Sequence, residues 1–414
     1  MSEFPTNWTR MKIGQFAKRV KRKNSNRICN NVLTISANDG LISQKEFFKK
    51  IVASKNTSGY TLLENSEFAY NKSYCEGFPV GAARRLRRYS DGIVSPLYIC
   101  FCVNQELLDL KYADYLFDSQ WFNSAIYSVA KEGGRSHGLL NLGINEFFDA
   151  SLPIPPLHEQ KKISEILFGI DNLIQKNKIK LDKLSLLKDA LIQHLLLKGL
   201  DLHTYQKTSI GIFPNSWEIV GINSVCKFIK RGPSLSTNPL GKGIRYITSG
   251  NIVNDKISLE ADYKFLDNFE GIDKCLIKKD DLILNCVNSK AKLASSALYS
   301  NNISSIVGFN NYALTIDDDR CLPSFIFYWT KTPNFYTQVK SFSKPAINQA
   351  SFSKKDLEKI QIPLPSIEEQ LKICQVIDPI FALQEELQIK IKKYISCKRG
   401  IANDLLLGRK RVKF

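Results

Sequence analysis

This sequence is poor in the residues that build metal centres. It holds four histidines and ten cysteines. No CxxC pair occurs, whereas a zinc site needs thiolates or imidazoles clustered at short spacing. Most of the cysteines sit inside apolar strand-like runs (Cys100, Cys102, Cys226, Cys275, Cys286 and Cys374), as reduced thiols of a cytoplasmic protein would. No apolar run reaches the roughly 18 residues that a membrane-spanning helix needs. The longest is the mixed stretch GIVSPLYICFCV at 92–103, and the opening MSEFPTNWTRMK lacks the apolar core of a signal peptide. The expected compartment is the cytoplasm.

Signatures of catalysis are equally thin. A DNA amino-methyltransferase needs an Asn/Asp-Pro-Pro-aromatic line to hold the target amine and a Gly-rich turn for its cofactor, and this chain offers only NPL at 238–240. GKGIR at 241–245 lacks the spacing of a GxxxxGK[ST] phosphate loop. No group of carboxylates with a nearby lysine reads as a nuclease metal site. The expectation is a chain with no catalytic residue, no metal and no cofactor of its own.

What the chain has in excess is positive charge. Its 58 basic and 40 acidic residues give a formal charge of +18. Such a balance points to a polyanionic partner, because each neutralised phosphate releases a counterion. At 414 residues the chain is also long enough for more than one domain.

It is written twice. PIPPLHEQKKI at 153–163 returns as PLPSIEEQLKI at 363–373, an offset of 210 residues. The match continues through Lys180 and Lys390, Lys183 and Lys393, Lys188 and Lys398, to Leu195–Leu197 against Leu405–Leu407. Upstream, FPTNW at 4–8 matches FPNSW at 213–217, EFAYN at 67–71 lies over DLILN at 281–285, and YLF at 115–117 over FIF at 325–327.

After each Pro-x-Pro strand end, apolar residues recur at steps of three and four, the helical period. In the first copy these are Ile163, Leu167, Ile170, Ile174, Leu181, Leu184 and Leu191; in the second, Ile373, Ile377, Ile380, Leu387, Ile391, Tyr394, Ile401 and Leu405. Ser366 with Glu369 predicts a capping box in the second copy, a cap that Pro156 removes from the first. Gly199 and Gly408 are the expected stops.

A helix of close to forty residues, on the order of 60 Å long, needs a partner for its stripe, and the nearest is its own duplicate. The spacing therefore predicts an antiparallel coiled coil related by a pseudo-twofold, with Asn177 helping to fix register. Gly169 and Pro379, at equivalent positions, are expected to bend or break both helices. The expected fold is α/β: two α+β globules joined by two long helices. The predicted boundaries are 1–155 for the first globule, 156–204 for its helix, 205–364 for the second globule, and 365–414 for its helix with a loose basic tail, GRKRVKF.

This arrangement resembles the DNA specificity subunit of type I restriction-modification systems. The resemblance is carried by LPIPPLHEQKKISEIL, IPLPSIEEQLKICQVI, YNKSYCEGFPVGAARRLRRYSDGIVSPLY and DLILNCVNSKAKLASSALYS, and covers essentially the whole chain. It implies two target recognition domains, each reading half of a split, asymmetric double-stranded DNA site, and helices that set the gap. It also implies two methyltransferase subunits as partners, which bind S-adenosylmethionine, and ATP-dependent restriction subunits beyond them.

The residues favoured for DNA contact follow from the basic clusters. Lys18, Lys21 and Arg22, matched by Lys227, Lys230 and Arg231, are shared between halves and suit backbone phosphates. Arg84, Arg85, Arg87, Arg88 and Arg135 in the first half, and Lys242, Arg245, Asn288, Lys290, Lys292 and Lys344 in the second, are the candidates for reading bases or gripping phosphate there. His137, in KEGGRSHG at 131–138, suits a structural or phosphate-facing role. Two other readings stay open at this level: a coiled-coil scaffold binding proteins, and a stand-alone DNA-binding protein without methyltransferase partners.

Overall fold

The computed structural model describes residues 4–36, 40–48, 54, 56–73, 78–130, 140–200, 204–238, 240–258, 263–345 and 349–413. The chain divides into two compact units, residues 1–178 with 389–414, and residues 179–388. Each unit holds one globule with half of each of two long helices, α1 (Leu157–Lys198) and α2 (Ile367–Leu406).

In the first unit a four-stranded antiparallel sheet runs in the order Ala17–Arg19, Ile99–Val103, Phe68–Asn71, Ala82–Arg85. Successive side chains of a strand face opposite ways. Phe68 and Tyr70 accordingly join Phe101, Phe117, Phe122 and Phe147 under the helices Leu110–Leu116, Gln120–Val129 and Ile144–Asp149, while Ala69 and Cys100 face a smaller core of Leu33, Leu41, Leu63 and Leu86. Phe68 and Phe101 stack at 5.3 Å. Each such fully buried ring stabilises the fold by about 1.5–3 kcal/mol.

In the second unit a six-stranded sheet is ordered Cys226–Arg231, Asn311–Ile316, Leu282–Asn285, Ser296–Leu298, Lys256–Ile257, Ile252–Val253. The alternation repeats: Leu282 and Leu284 face the main core with the helices Pro323–Trp329 and Pro333–Phe342, and Ile283 faces a second cluster with Ala297 and Val307. The EFAYN and DLILN lines are thus equivalent central strands, and YLF and FIF occupy equivalent helices.

The long helices pair antiparallel within each unit. In the first, Ile163 and Leu167 of α1 share a core with Leu405 and Leu406 of α2; in the second, Ile192, Leu195 and Leu196 of α1 share one with Ile373, Cys374 and Ile377. Ile174, Leu387 and Ile391 are buried, and Ile170, Leu181, Leu184, Leu191, Ile380 and Tyr394 are half-buried.

Ile401 departs from the expected seam, standing 37% exposed. A straight helix drifts about 20° per seven residues, so a strict heptad from Ile373 rotates outward by its fifth member, and Lys398, Ala402 and Leu405 face inward instead. Asn177 donates to the Leu173 carbonyl of its own helix at 2.7 Å, a bond that runs along α1. Neither Gly169 nor Pro379 interrupts its helix. Pro379 deprives the Gln375 carbonyl of a helical donor, but both residues are exposed, where water can supply one. Gly199 and Gly408 end the helices with left-handed φ of 74° and 70°, as expected. Among the described residues no helix is long and apolar enough to cross a membrane.

Candidate nucleic-acid interface and its helical clamp

The repeated Glu-Gln pair sits at the head of each long helix, where it fastens the globule; Glu159, Gln160 and Gln370 are buried and Glu369 is half-buried. Gln160 accepts from the Asp109 amide at 2.8 Å and donates to the carbonyls of Leu107 and Pro155 at 2.9 and 2.8 Å. Gln370 repeats the pattern, accepting from the Leu322 amide at 2.9 Å and donating to Arg320 and Pro365 at 3.1 and 2.9 Å. Asp109 and Leu322 are the N-caps of equivalent helices, so one side chain satisfies a loop, a helix start and the Pro-x-Pro strand end at once.

The glutamate beside it reaches the tryptophan of the other repeated line. Trp8 donates its indole N–H to Glu159 at 3.2 Å, and Trp217 donates to Glu369 at 3.0 Å. Ser366 caps the Glu369 amide at 3.3 Å, as expected, and the Glu369 carboxylate accepts from Trp217. The polar repeat is therefore a structural joint, and the FPxxW line is its other side. Two tyrosines extend it: Tyr115 donates to Asp171 of α1 at 2.8 Å, and Tyr328 donates to Asp378 of α2.

The C-terminal basic segment is no loose tail. Arg411 forks onto Glu159, which is 1% exposed, with both contacts at 2.7 Å, and Val412 is buried in the first unit's core. The Glu159 carboxylate holds the Arg411 guanidinium above its ordinary value.

The basic clusters separate into tied and untied cations. In the first unit Lys18 and Lys21 are exposed beside the edge strand Ala17–Arg19 and have no carboxylate partner among the described residues. Arg22 bonds Glu67 at 2.6 Å. Arg84 bonds Asp118 at 2.5 Å and covers Phe78; Arg85 grips Asp114 with two bonds and is only 13% exposed; Arg87 joins the same Asp114. Arg88 sits 3.4 Å from Glu46. Arg84 and Arg85 fasten the strand Ala82–Arg85 to Asp118 and to Asp114 of the helix Leu110–Leu116, because a half-buried guanidinium needs its carboxylate. Arg135 and His137 lie outside the described residues.

In the second unit Lys227 pairs with Asp317 at 3.2 Å, and Lys230 is half-buried between Asp281 at 3.5 Å and the Leu276 carbonyl at 2.9 Å. Arg231 bonds the Phe309 carbonyl at 2.9 Å and lies 4.2 Å over its ring. Arg245 lies 4.7 Å over Tyr263, a face contact that leaves the guanidinium edge available. Asn288 is half-buried opposite Ala350. Lys242, Lys290, Lys292 and Lys344 are exposed without a carboxylate partner among the described residues. Lys290 also borders an apolar cavity of 230 Å³ lined by Leu293, Tyr336, Val339 and Ala350. Among the described residues no group of histidine, cysteine, aspartate or glutamate could hold a metal ion.

Comparison with known proteins agrees with this geometry. Residues 214–395 match the family model of the type I restriction modification DNA specificity domain. The chain is 29% identical to the type I restriction enzyme MjaX specificity subunit of Methanocaldococcus jannaschii, over 63% of this chain and 60% of that one, so the match spans less than two thirds of that relative. It is 25% identical to the MjaVIII specificity subunit of the same organism over 99% of this chain and 94% of the other. In fold it is similar to the S subunit of a type I restriction-modification system from M. genitalium, with a TM-score of 0.57 over 96% of each chain at 12% identity.

Proposed function

We propose, from the premise that this chain belongs with the type I restriction-modification specificity subunits, one of which it matches over 99% of its length, that it reads a DNA target in two unlike halves. Residues 1–155 form one recognition domain and 205–364 the other. The helices of 156–204 and 365–414 hold them at a set separation. The supporting observation is the duplicated Glu-Gln clamp, which fixes each globule to the head of its own long helix while the sheets and loops around it differ. Unlike readers on a paired-helix spacer suit a non-palindromic, bipartite site.

Each reader then has its own cations. Lys18 and Lys21 in the first domain, and Lys242, Lys290, Lys292 and Lys344 in the second, neutralise phosphates. Arg245, held flat on Tyr263 with its edge free, reads a base in the second half-site. The chain contributes recognition and leaves the chemistry to its partners. Two methyltransferase subunits carrying S-adenosylmethionine dock on the helices, where Leu173, Leu186, Leu187, Leu371 and Val376 are exposed, Leu186 by 72%. Apolar side chains that face outward from an already paired helix suit a protein partner. Restriction subunits using ATP join through them.

Mapping modified adenines in genomic DNA with and without this chain tests the reading. The expected result is two unlike half-sites at one fixed separation. Modification at an undivided site, or none that depends on the chain, would overturn it.

A further inference from the structure

In the second unit the outermost hairpin of the sheet, Ile252–Val253 with Lys256–Ile257, turns through Asn254 and Asp255, both left-handed at φ 50° and 64°. Non-glycine residues keep such a conformation where their surroundings hold it. Here the tip is held from three sides. Asp255 accepts from Lys331 at 2.7 Å and from Lys188 of α1 at 3.3 Å, and the neighbouring Lys256 pairs with Glu385 of α2. Lys331 is half-buried and also donates to the Ser296 carbonyl and hydroxyl at 2.8 and 2.9 Å, while Lys188 lies 4.9 Å over the Phe381 ring of α2. Ser185, Gln384 and Gln388 complete a polar cavity of 340 Å³ around the tip.

A two-residue turn of the recognition globule thus touches both long helices. Burial pushes the Asp255 carboxyl up, but Lys331 and Lys188 outweigh it and hold it below the ordinary value of 3.8. Its pairing is therefore complete above that value and is lost only as the pH falls below it. Glu385 lies fifteen residues beyond Gln370, or about 22 Å along α2 at 1.5 Å per residue. A globule fastened only at the Gln370 clamp could pivot about that point; a second charged attachment this far along the helix removes the rotation. The matching lysine of the first unit, Lys398, takes its carboxylate from α1 itself, Asp171 at 2.6 Å.

We propose that the Asp255 hairpin is a strut that fixes the second recognition domain's angle on the helix pair and so sets how strictly the gap between half-sites is defined. Asp255 is a positioning residue that touches no DNA, and the inference rests on the two-half-site reading above. The test uses the full chain with its methyltransferase subunits and a set of duplexes carrying constant half-sites with the gap varied one base pair at a time. Asp255→Asn removes the charge yet tolerates the left-handed turn.

In Asp255→Asn, modification at gaps one base pair longer and shorter should rise about three- to ten-fold relative to the preferred gap, with the half-site bases unchanged. Lys256→Glu should act in the same direction, and Lys256→Glu with Glu385→Lys should restore the narrow profile, a rescue that simple loss of folding would not produce. If the wild-type chain directs modification to a split site but the Asp255→Asn profile is unchanged and the charge swap rescues nothing, the strut is overturned alone. If the wild-type chain marks no split site, the two-half-site reading falls and the strut with it.

Discussion

The two halves keep the same buried bonds and differ in nearly every charge placed around them. Gln160 and Gln370 make three equivalent hydrogen bonds each, and Glu159 and Glu369 both meet a tryptophan. Glu159, however, also receives Arg411 from the chain's end. The lysines at matched positions diverge too: Lys398 pairs with an aspartate on the facing helix, whereas Lys188 lies over a phenylalanine there and pairs with a hairpin of the globule. A buried amide that satisfies three backbone groups has no tolerated substitute, because any smaller residue strands them away from water. Surface and half-buried charges can be re-paired at little cost. Duplication is therefore preserved at the joint and eroded on the surfaces of the globules.

The largest effect expected from this contrast is at the joint, and it should be symmetric. Gln160→Ala strands the Asp109 amide and two carbonyls, and Gln370→Ala strands the Leu322 amide and two others. Each should cost about 3 kcal/mol, several of the roughly 1 kcal/mol losses expected per unmet buried group. Urea unfolding of the two variants measures it. A large loss in one half with none in the other would break the equivalence.

The next effect should be one-sided. Arg411→Ala leaves the buried Glu159 carboxylate without its counter-charge, keeping only the hydrogen bond from the uncharged Trp8 indole. Because Arg411 is itself part-exposed, the loss should be about 2 kcal/mol rather than the full cost of a broken buried pair. Deleting residues 409–414 should destabilise the first unit similarly and leave the second unchanged. Hydrogen exchange resolved by unit would separate them; equal loss of protection in both would contradict the asymmetry.

How far this was legible in the chain depends on the kind of interaction. The helices, their pairing and the stops at Gly199 and Gly408 follow from periodicity, since one apolar stripe has few ways to be buried. The central strands EFAYN and DLILN were visible as a repeat. The role of Glu159 and Glu369 was not: a capping box and a tryptophan acceptor read alike along the chain, and the FPxxW line that completes the joint lies about 150 residues earlier. The arginine cluster at 84–88 misleads for a related reason. Its carboxylates, Asp114 and Asp118, are too distant in sequence to be noticed as partners, so a structural pair looks like a free basic patch. The grip of Arg411 and the Asp255 hairpin are long-range pairings of the same sort.

On the proposed recognition domains, effects should be smaller and confined to one half. Arg245→Ala should lower discrimination at a single position of the second half-site by about 1–2 kcal/mol, the lower part of the range for one arginine contact, and leave the first half-site unchanged. Competition binding with single-base variants of each half-site measures this. Uniform weakening across all variants would make Arg245 a phosphate contact instead.

The smallest and most diffuse effect concerns the cations that the repeat shares. Lys18 and Lys21 are exposed without carboxylates, whereas their counterparts Lys227 and Lys230 are committed to Asp317 and Asp281. A lysine already neutralised by a carboxylate releases no counterion when DNA arrives. Lys18→Gln with Lys21→Gln should therefore flatten the log–log salt dependence of DNA binding by about 0.9 per lost phosphate contact. Lys227→Gln should leave that slope nearly unchanged, and Lys230→Gln should instead lower stability by stranding the buried Asp281. Equal slopes for the two exchanges would mean that the second half opens its ion pairs on DNA, and the matched lysines would then be functional equivalents despite their different partners in the free chain.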